Sequence, residues 1–271
     1  MLRSLYSGVS GMKNFQVKLD VIGNNIANVN TVGFKKSRVV FQDVLSQNMA
    51  GATAPEDGER GGINPRQVGL GSQIGAIDVI HTPGSPMTTG VPNDLMIEGD
   101  GFFLVSPPGN EEMQYLTRAG NFTRDALGYL VTSSGYYVQG TGGPIQIDME
   151  DYMQYEIAAN GDVIGYNEEG EPEVIDTLVL GFVQNPGGLR KVGGSLYEIT
   201  ANAHSEELEP TTIEDAEGRN VRIIAGMLEM SNVDLTEEFT EMIIAQRGFQ
   251  SNSRIITTSD EILQEVVNLK R

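Results

Sequence analysis

The chain has 271 residues, 37 Asp and Glu against 18 Lys and Arg, a net charge of −19 and no cysteine. A body this acidic repels phosphate backbones, which excludes nucleic acid as an expected partner. No stretch approaches 18 apolar residues, so membrane insertion is not expected either, and the absence of thiols rules out a disulfide framework. The charge is uneven. Residues 1–50 carry six Lys/Arg and two Asp/Glu, residues 51–230 eight and 28, and residues 231–271 four and seven. The acidic middle reads as a solvated surface. The N-terminus is not a secretory signal, because Lys13, Lys18 and Asp20 interrupt it and no cleavage site follows an apolar core.

Residues 2–29 read as a helix. Leu2, Leu5, Val9 and Met12 step by three and four, and Phe15, Leu19, Ile22, Ile26 and Val29 continue the period. Asn24, Asn25, Asn28 and Asn30 gather where the pattern fades, and Gly33 can take the left-handed conformation that ends a helix. A short amphipathic segment follows from Phe34 to Leu45. The composition then breaks: residues 50–71, AGATAPEDGERGGINPRQVGLG, have no apolar period and read as an extended or loop-like linker. From about Gly75 the period becomes two. Residues 95–105, LMIEGDGFFLV, read as two strands in a hairpin around Gly99–Gly101. Residues 155–166 read as a second hairpin around Asn160 and Gly161. Short strand runs with regular turns continue to Met230, the pattern of an all-β barrel or sandwich-like domain.

The last forty residues form a long helix. Asp234 is placed to cap it, with Glu237 three residues on. Glu238 and Glu241 suit its N-terminal dipole, and Lys270 and Arg271 its far end. Large side chains recur at Leu235, Phe239, Met242, Phe249, Ile256 and Leu263, with Gln246, Ser253 and Asp260 as polar interruptions of a heptad seam. Ile243, Ile255, Ile262, Val266 and Leu269 widen the apolar face. Such a helix, about 50 Å long, needs a partner. The expected one is the N-terminal helix, with Leu5, Val9, Met12, Leu19, Ile22 and Ile26 packing against the C-terminal seam within and between subunits. Two ordinary amphipathic helices on a globular core are the alternative. The fold class is therefore α+β: terminal helices paired as a coiled coil around an inserted all-β domain. Residues 1–34 and 232–271 form the helical core, 35–74 and 222–231 a connecting domain, and 75–221 the outer β-rich domain.

No active site is legible. His81 and His204 stand alone, there is no GxSxG elbow or Walker lysine, and Gly69, Gly71 and Gly75 have the wrong spacing for a dinucleotide loop. Residues 167–173, NEEGEPE, lack calcium-loop spacing, and Glu206, Glu207 and Glu209 read as a solvated loop. Catalytic, cofactor and metal residues are all expected to be absent.

The segment Asn24–Lys35, NNIANVNTVGFK, resembles the bacterial flagellar rod and hook protein family through Asn24, Asn25, Asn28, Gly33, Phe34 and Lys35. The resemblance recurs at IEGDGFF (97–103), TRAGNF (117–122), GYLV (128–131) and SNVD (231–234), and runs through the last helix. It implies an axial, non-enzymatic subunit that polymerises into a helical tube around an export channel. Its implied partners are further copies, neighbouring rod and hook–filament junction proteins, the hook cap and the flagellar type III export apparatus. Export without a cleaved signal would place it outside the cell in the hook or basal body. Within the family, EMSNVDLTEEF (229–239) and AQRGFQ (245–250) favour the short hook proteins of Gram-positive bacilli. The long stretch from Val44 to Gly69 points to the distal rod, the alternative reading. A secreted adhesin or carbohydrate-binding β domain, or a wall hydrolase, are the readings from other classes.

Overall fold

A computed structural model describes residues 2–55, 61–109, 113–148, 152, 154–167, 171–204, 210–213 and 221–269. The chain divides into two compact units. Met1–Ala27, Ser37–Val79 and Asp234–Arg271 form the first, and Asn28–Lys36 with Ile80–Val233 the second. It is a mixed α and β protein with one long helix near each end and many strands between them. Lys270, Arg271, Glu206, Glu207, Glu209 and residues 168–170 of the acidic NEEGEPE run lie outside the described residues.

In the first unit, α1 spans Leu2–Ala27 and α2 spans Leu235–Asn268. Asp234 starts α2 by accepting hydrogen bonds from the Thr236 and Glu237 amides at 2.8 and 3.3 Å. That satisfies two of the donors a helix start otherwise leaves free. The two helices lie against each other in opposite directions. Gly8 faces Ile256, Gly11 faces Asn252 and Gly248 faces Phe15; Lys18 pairs with Glu241 at 2.5 Å and Asn25 with Glu238 at 3.2 Å. On α1 these positions step by three and four, so they form one stripe.

Between the helices in sequence comes a long two-stranded ribbon. Strand β1 (Ser37–Asp43) pairs antiparallel with β4 (Ser72–Val79), with a register shift between Val40 and Phe41. Strand β2 (Ser46–Ala50) pairs with β3 (Arg66–Gly69), and a bridge between Thr53 and Ile63 extends the pairing. The stretch read as a linker is therefore in part a paired arm, through residues 50, 53, 63 and 66–69, and the arm is about 55 Å from Ser37 to Thr53 at strand rise. Backbone pairing needs no apolar period, so a hydrophobic scan passes over it. The base of the ribbon is held to α1: Asn14 donates to Ser72 Oγ at 2.9 Å, and Phe15 meets Phe41 edge-on at 5.8 Å. Strands β2 and β3 are exposed along their whole length.

The second unit is β-rich. Its main sheet has nine strands, seven on a path from Arg190–Gly193 to Thr123–Arg124 with Gly143–Pro144 and Leu180–Gly181 paired off it, and Gln154–Ile157, Asp162–Tyr166 and Pro172–Thr177 form a three-stranded sheet. The turn at Asn160 and Gly161 joins paired strands, with Gly161 at φ +94°. The hairpin expected around Gly99–Gly101 does not form. Leu95–Glu98 pairs with Arg222–Ala225, and Phe102–Ser106 pairs with Tyr115–Thr117 and Tyr137–Gly140. Both segments are continuous buried runs, so they lack the alternation that would mark strands sharing one solvated hairpin. Gly99 and Gly101, at φ +109° and +135°, redirect the chain from one sheet to the other. The core gathers Phe103, Leu130, Ile145, Leu178 and Leu180, all fully buried. Each such side chain contributes about 1.5–3 kcal/mol.

The close approach at Gly248 yields a test. A Cβ there would stand 2.6 Å from the Phe15 ring. Gly248→Ala is expected to destabilise the helix pair by about 1–3 kcal/mol through overpacking. Urea unfolding should show this loss in the helical far-UV signal, with the near-UV tyrosine signal of the β unit unchanged.

Candidate assembly surface and buried junction

The stripe that joins α1 to α2 is built from small and polar side chains. Gly8, Gly11, Asn14, Ile22 and Asn25 are buried on α1, and Glu238, Ala245 and Ser259 on α2. Asn25 is central to it. Its amide donates to the Glu238 carboxylate and to the Ser37 carbonyl, and its Oδ1 accepts from the Ser37 amide. One asparagine thus ties α1, α2 and the first residue of β1. Of the twelve residues expected to form the seam, Ile22 is buried. Leu5, Met12, Leu19, Ile26, Met242, Ile256 and Leu263 are half-buried, while Val9, Leu235, Phe239 and Phe249 are exposed. Ile243, Ile244, Ile255, Ile262, Val266 and Leu269 are exposed with them. The structure brings together the small residues between the helices. It leaves much of the large apolar surface of α2 facing outward.

The motif residues separate by role. Asn24 is exposed. Asn28 accepts a hydrogen bond from the Thr31 hydroxyl at 3.1 Å. Gly33 is at φ +67°, and a Cβ there would fall 2.5 Å from the Ala119 nitrogen, so no other residue fits. Phe34 lies under the Lys191 ammonium at 4.6 Å. Lys35 leads to a buried ionic junction in the second unit. Its Nζ donates to Glu229 Oε1 at 2.6 Å and to the Thr82 carbonyl at 2.8 Å. Arg118 Nη1 reaches Glu229 Oε2 at 3.4 Å, and its other nitrogen donates to the Gly99 carbonyl at 2.9 Å. The Gly84 amide donates to Glu229 Oε1 at 2.9 Å. Lys35, Arg118 and Glu229 are 1%, 5% and 0% exposed, so the pairing is made without bulk water. Burial pulls the ammonium of Lys35 and the guanidinium of Arg118 down from their ordinary values, and Glu229 acts against that in both. Sequence reading quoted Arg118 and Glu229 within motifs and gave them no role. Nothing in a single chain links partners 111 and 194 positions apart.

His81 stands beside this junction, edge-on to Phe102 and against Tyr197 at ring distances of 5.7 and 5.3 Å. Burial, then the positive charges of Lys35, Lys191 and Arg118, hold its pKa down at about 4, and the Pro186 carbonyl opposes them. Burial likewise raises the Tyr197 phenol above its usual range. Because the folded pKa of His81 lies below its unfolded value near 6.5, the unfolded chain takes the proton first. The stabilisation is complete above pH 6.5 and is lost as pH falls toward 4, by as much as about 3 kcal/mol. His81→Phe keeps the aromatic packing and removes the titration. Urea unfolding at pH 7, 5.5 and 4 should show a smaller acid loss in this variant than in the native chain. Among the described residues no cluster of His, Asp or Glu could hold a metal ion, and no helix is long and apolar enough to cross a membrane.

The two ends of the chain form an antiparallel helix pair, a β-rich unit lies between them in sequence, and apolar helix surface is left exposed. The family model described as the flagella basal body rod protein matches residues 5–35, that of the flagellar hook protein FlgE/F/G D1 domain residues 96–165, and that of the flagellar basal body rod FlgEFG protein C-terminal residues 224–269. The flagellar basal-body rod protein FlgG of Bacillus subtilis (strain 168) is 52% identical, with both chains covered completely. FlgG of Borreliella burgdorferi is 38% identical over the full length of both. The flagellar hook protein FlgE of the same organism is 28% identical over an alignment of 449 residues, and FlgE of Treponema pallidum is 52% identical over only 52% of this chain and 30% of its own. The chain belongs to the flagellar basal-body rod and hook protein family and is a structural axial component of the flagellum. The full-length relatives of matching size are rod proteins, so the distal rod accounts for the chain better than the hook favoured from the C-terminal motifs.

Proposed function

We propose that this chain is the distal rod subunit of the flagellar basal body. The observation that carries this reading is the 52% identity to a rod protein with no part of either chain left over. Copies polymerise into a helical tube outside the cytoplasmic membrane, around a central export channel. The uncovered apolar side chains of α2, including Leu235, Phe239 and Phe249, pack against α1 and α2 of neighbouring copies. The terminal helices act together as a coiled coil, and the helical core 1–34 with 232–271 carries the β-rich region 75–221, with 35–74 and 222–231 connecting them. Contacts between unlike patches that do not close on themselves give a filament. The role is structural and not catalytic. Rod and hook neighbours contact the ends of the polymer, and the type III export apparatus delivers the subunit without a cleaved signal.

The exposed ribbon suits a stiff shaft. Its outer half, β2 and β3, is uncovered on both faces, with Leu45, Met49 and Ile63 exposed. Seated on adjacent copies, it would cross-brace them. Deleting residues 46–69 should leave polymerisation intact and shorten the persistence length of the polymer, measured by electron microscopy; a polymer of unchanged stiffness would refute the bracing role.

Phe249→Asp places a charge on the uncovered face, where assembly would bury it. Sedimentation should find no polymer, while the circular dichroism of the β-rich unit stays native. Native amounts of polymer from this variant would sink the seam. Immunogold labelling of detergent-extracted basal bodies tests the assignment itself: label on the straight shaft supports the rod, and label on the curved segment restores the hook.

A further inference from the structure

The chain passes into or out of the second unit at three places: through residues 28–36, at Ile80 and at Val233. All three passages are hydrogen-bonded to one another. Lys35 joins the first to the second at Thr82 and to the third at Glu229. The Asn232 side chain accepts from the Lys36 amide at 2.7 Å and donates to the Ile80 carbonyl at 2.9 Å and the Thr82 hydroxyl at 3.0 Å. Backbone bonds repeat the pattern: Ile80 donates to Lys36, Gly33 to Glu229 and Met230 to Ser85, at 2.9, 2.8 and 3.0 Å. Arg118 fastens the same Glu229 to carbonyls of the β core.

We propose that this junction is a mechanical clamp. Tension that enters along Gly33–Lys36 is handed directly across to Glu229–Asn232, and the β-sheet chain between Gly84 and Leu228 carries none of it. The chemistry suits the task. The central pairs are buried, so water cannot replace a stretched bond, and removing one partner strands an uncompensated charge. Salt screens buried pairs far less than exposed ones. The inference rests on the geometry of the junction alone and does not require the flagellar assignment.

The test is optical-tweezers unfolding of the full chain in two pulling directions. The chain lacks cysteine, so handles attach only where a cysteine is introduced. In the first geometry they attach at the two termini. In the second they attach at Leu127→Cys and Val192→Cys, two exposed positions within the β-rich unit. Under terminal pulling, Glu229→Gln is expected to raise the unfolding rate of that unit at fixed force by about a hundredfold, and Asn232→Ala by about tenfold. Under internal pulling, the same variants should change the rate by less than about threefold. Glu198→Gln, which breaks the exposed pair with Arg190, should change neither. Equal effects in the two geometries would overturn the clamp and leave an ordinary stabilising cluster. No effect under terminal pulling would overturn it as well. If Glu229→Gln does not fold, Asn232→Ala, which removes no charge, decides between the same outcomes.

Discussion

One carboxylate organises the second unit. Glu229 is fully buried and holds two cations, Lys35 and Arg118, that come from distant parts of the chain. Burying three charges is costly, and further hydrogen bonds offset part of that cost: the lysine donates to the Thr82 carbonyl, the arginine to the Gly99 carbonyl, and the carboxylate accepts from the Gly84 amide, while Arg118 Nε is left without a partner among the described residues. The tight backbone around it follows. Gly84 has the Met230 oxygen 1.9 Å from where a Cβ would stand, and Gly33 runs against the Ala119 amide. Side-chain charge and absent side chains are two parts of one requirement, that several strands of backbone meet at one point.

The first unit solves a different problem. Its helices approach through glycine and asparagine against Phe15 and Ile256, and most of the large apolar side chains of α2 are exposed. In a self-contained domain the order would be reversed, with leucine inside and small residues anywhere. Here much of the hydrophobic surface of α2 is exposed, and hydrogen bonds such as Asn25 to Glu238 join the two helices.

That division also explains what could be read from the sequence. Helix limits were legible because caps and periods are local: Asp234 and the three-four stepping suffice. The β character of the middle was legible for the same reason, and the Asn160–Gly161 turn with it. The small residues at the helix contact were not. A search by apolar period finds large side chains such as Ile22 and Ile256, which do lie at the contact, and Phe239 and Phe249, which are exposed in the single chain. Gly8, Gly11 and Gly248 carry no hydrophobic signal, yet they make the closest approach. The ribbon from Ser37 to Val79 escaped for a related reason, since its pairing is written in backbone bonds. The choice between hook and rod lay beyond motifs. The C-terminal helix is common to both, and what separates them is identity over the full length, 52% and 38% to rod proteins against 28% to a hook protein in an alignment of 449 residues.

The glycines of the helix contact also make the two helices unequal. Gly8 and Gly11 at the contact, and the exposed Gly23, each cost about 1 kcal/mol of helix propensity relative to alanine, all within the 26 residues of α1. Helix α2 contains a single glycine in 34 residues and begins with a side-chain cap. Alone in water, α1 is a weak helix, and its shape is borrowed from the surface it lies on. In this pair α2, with one glycine and a capped start, is the better helix former, and α1 depends more on the surface it lies against.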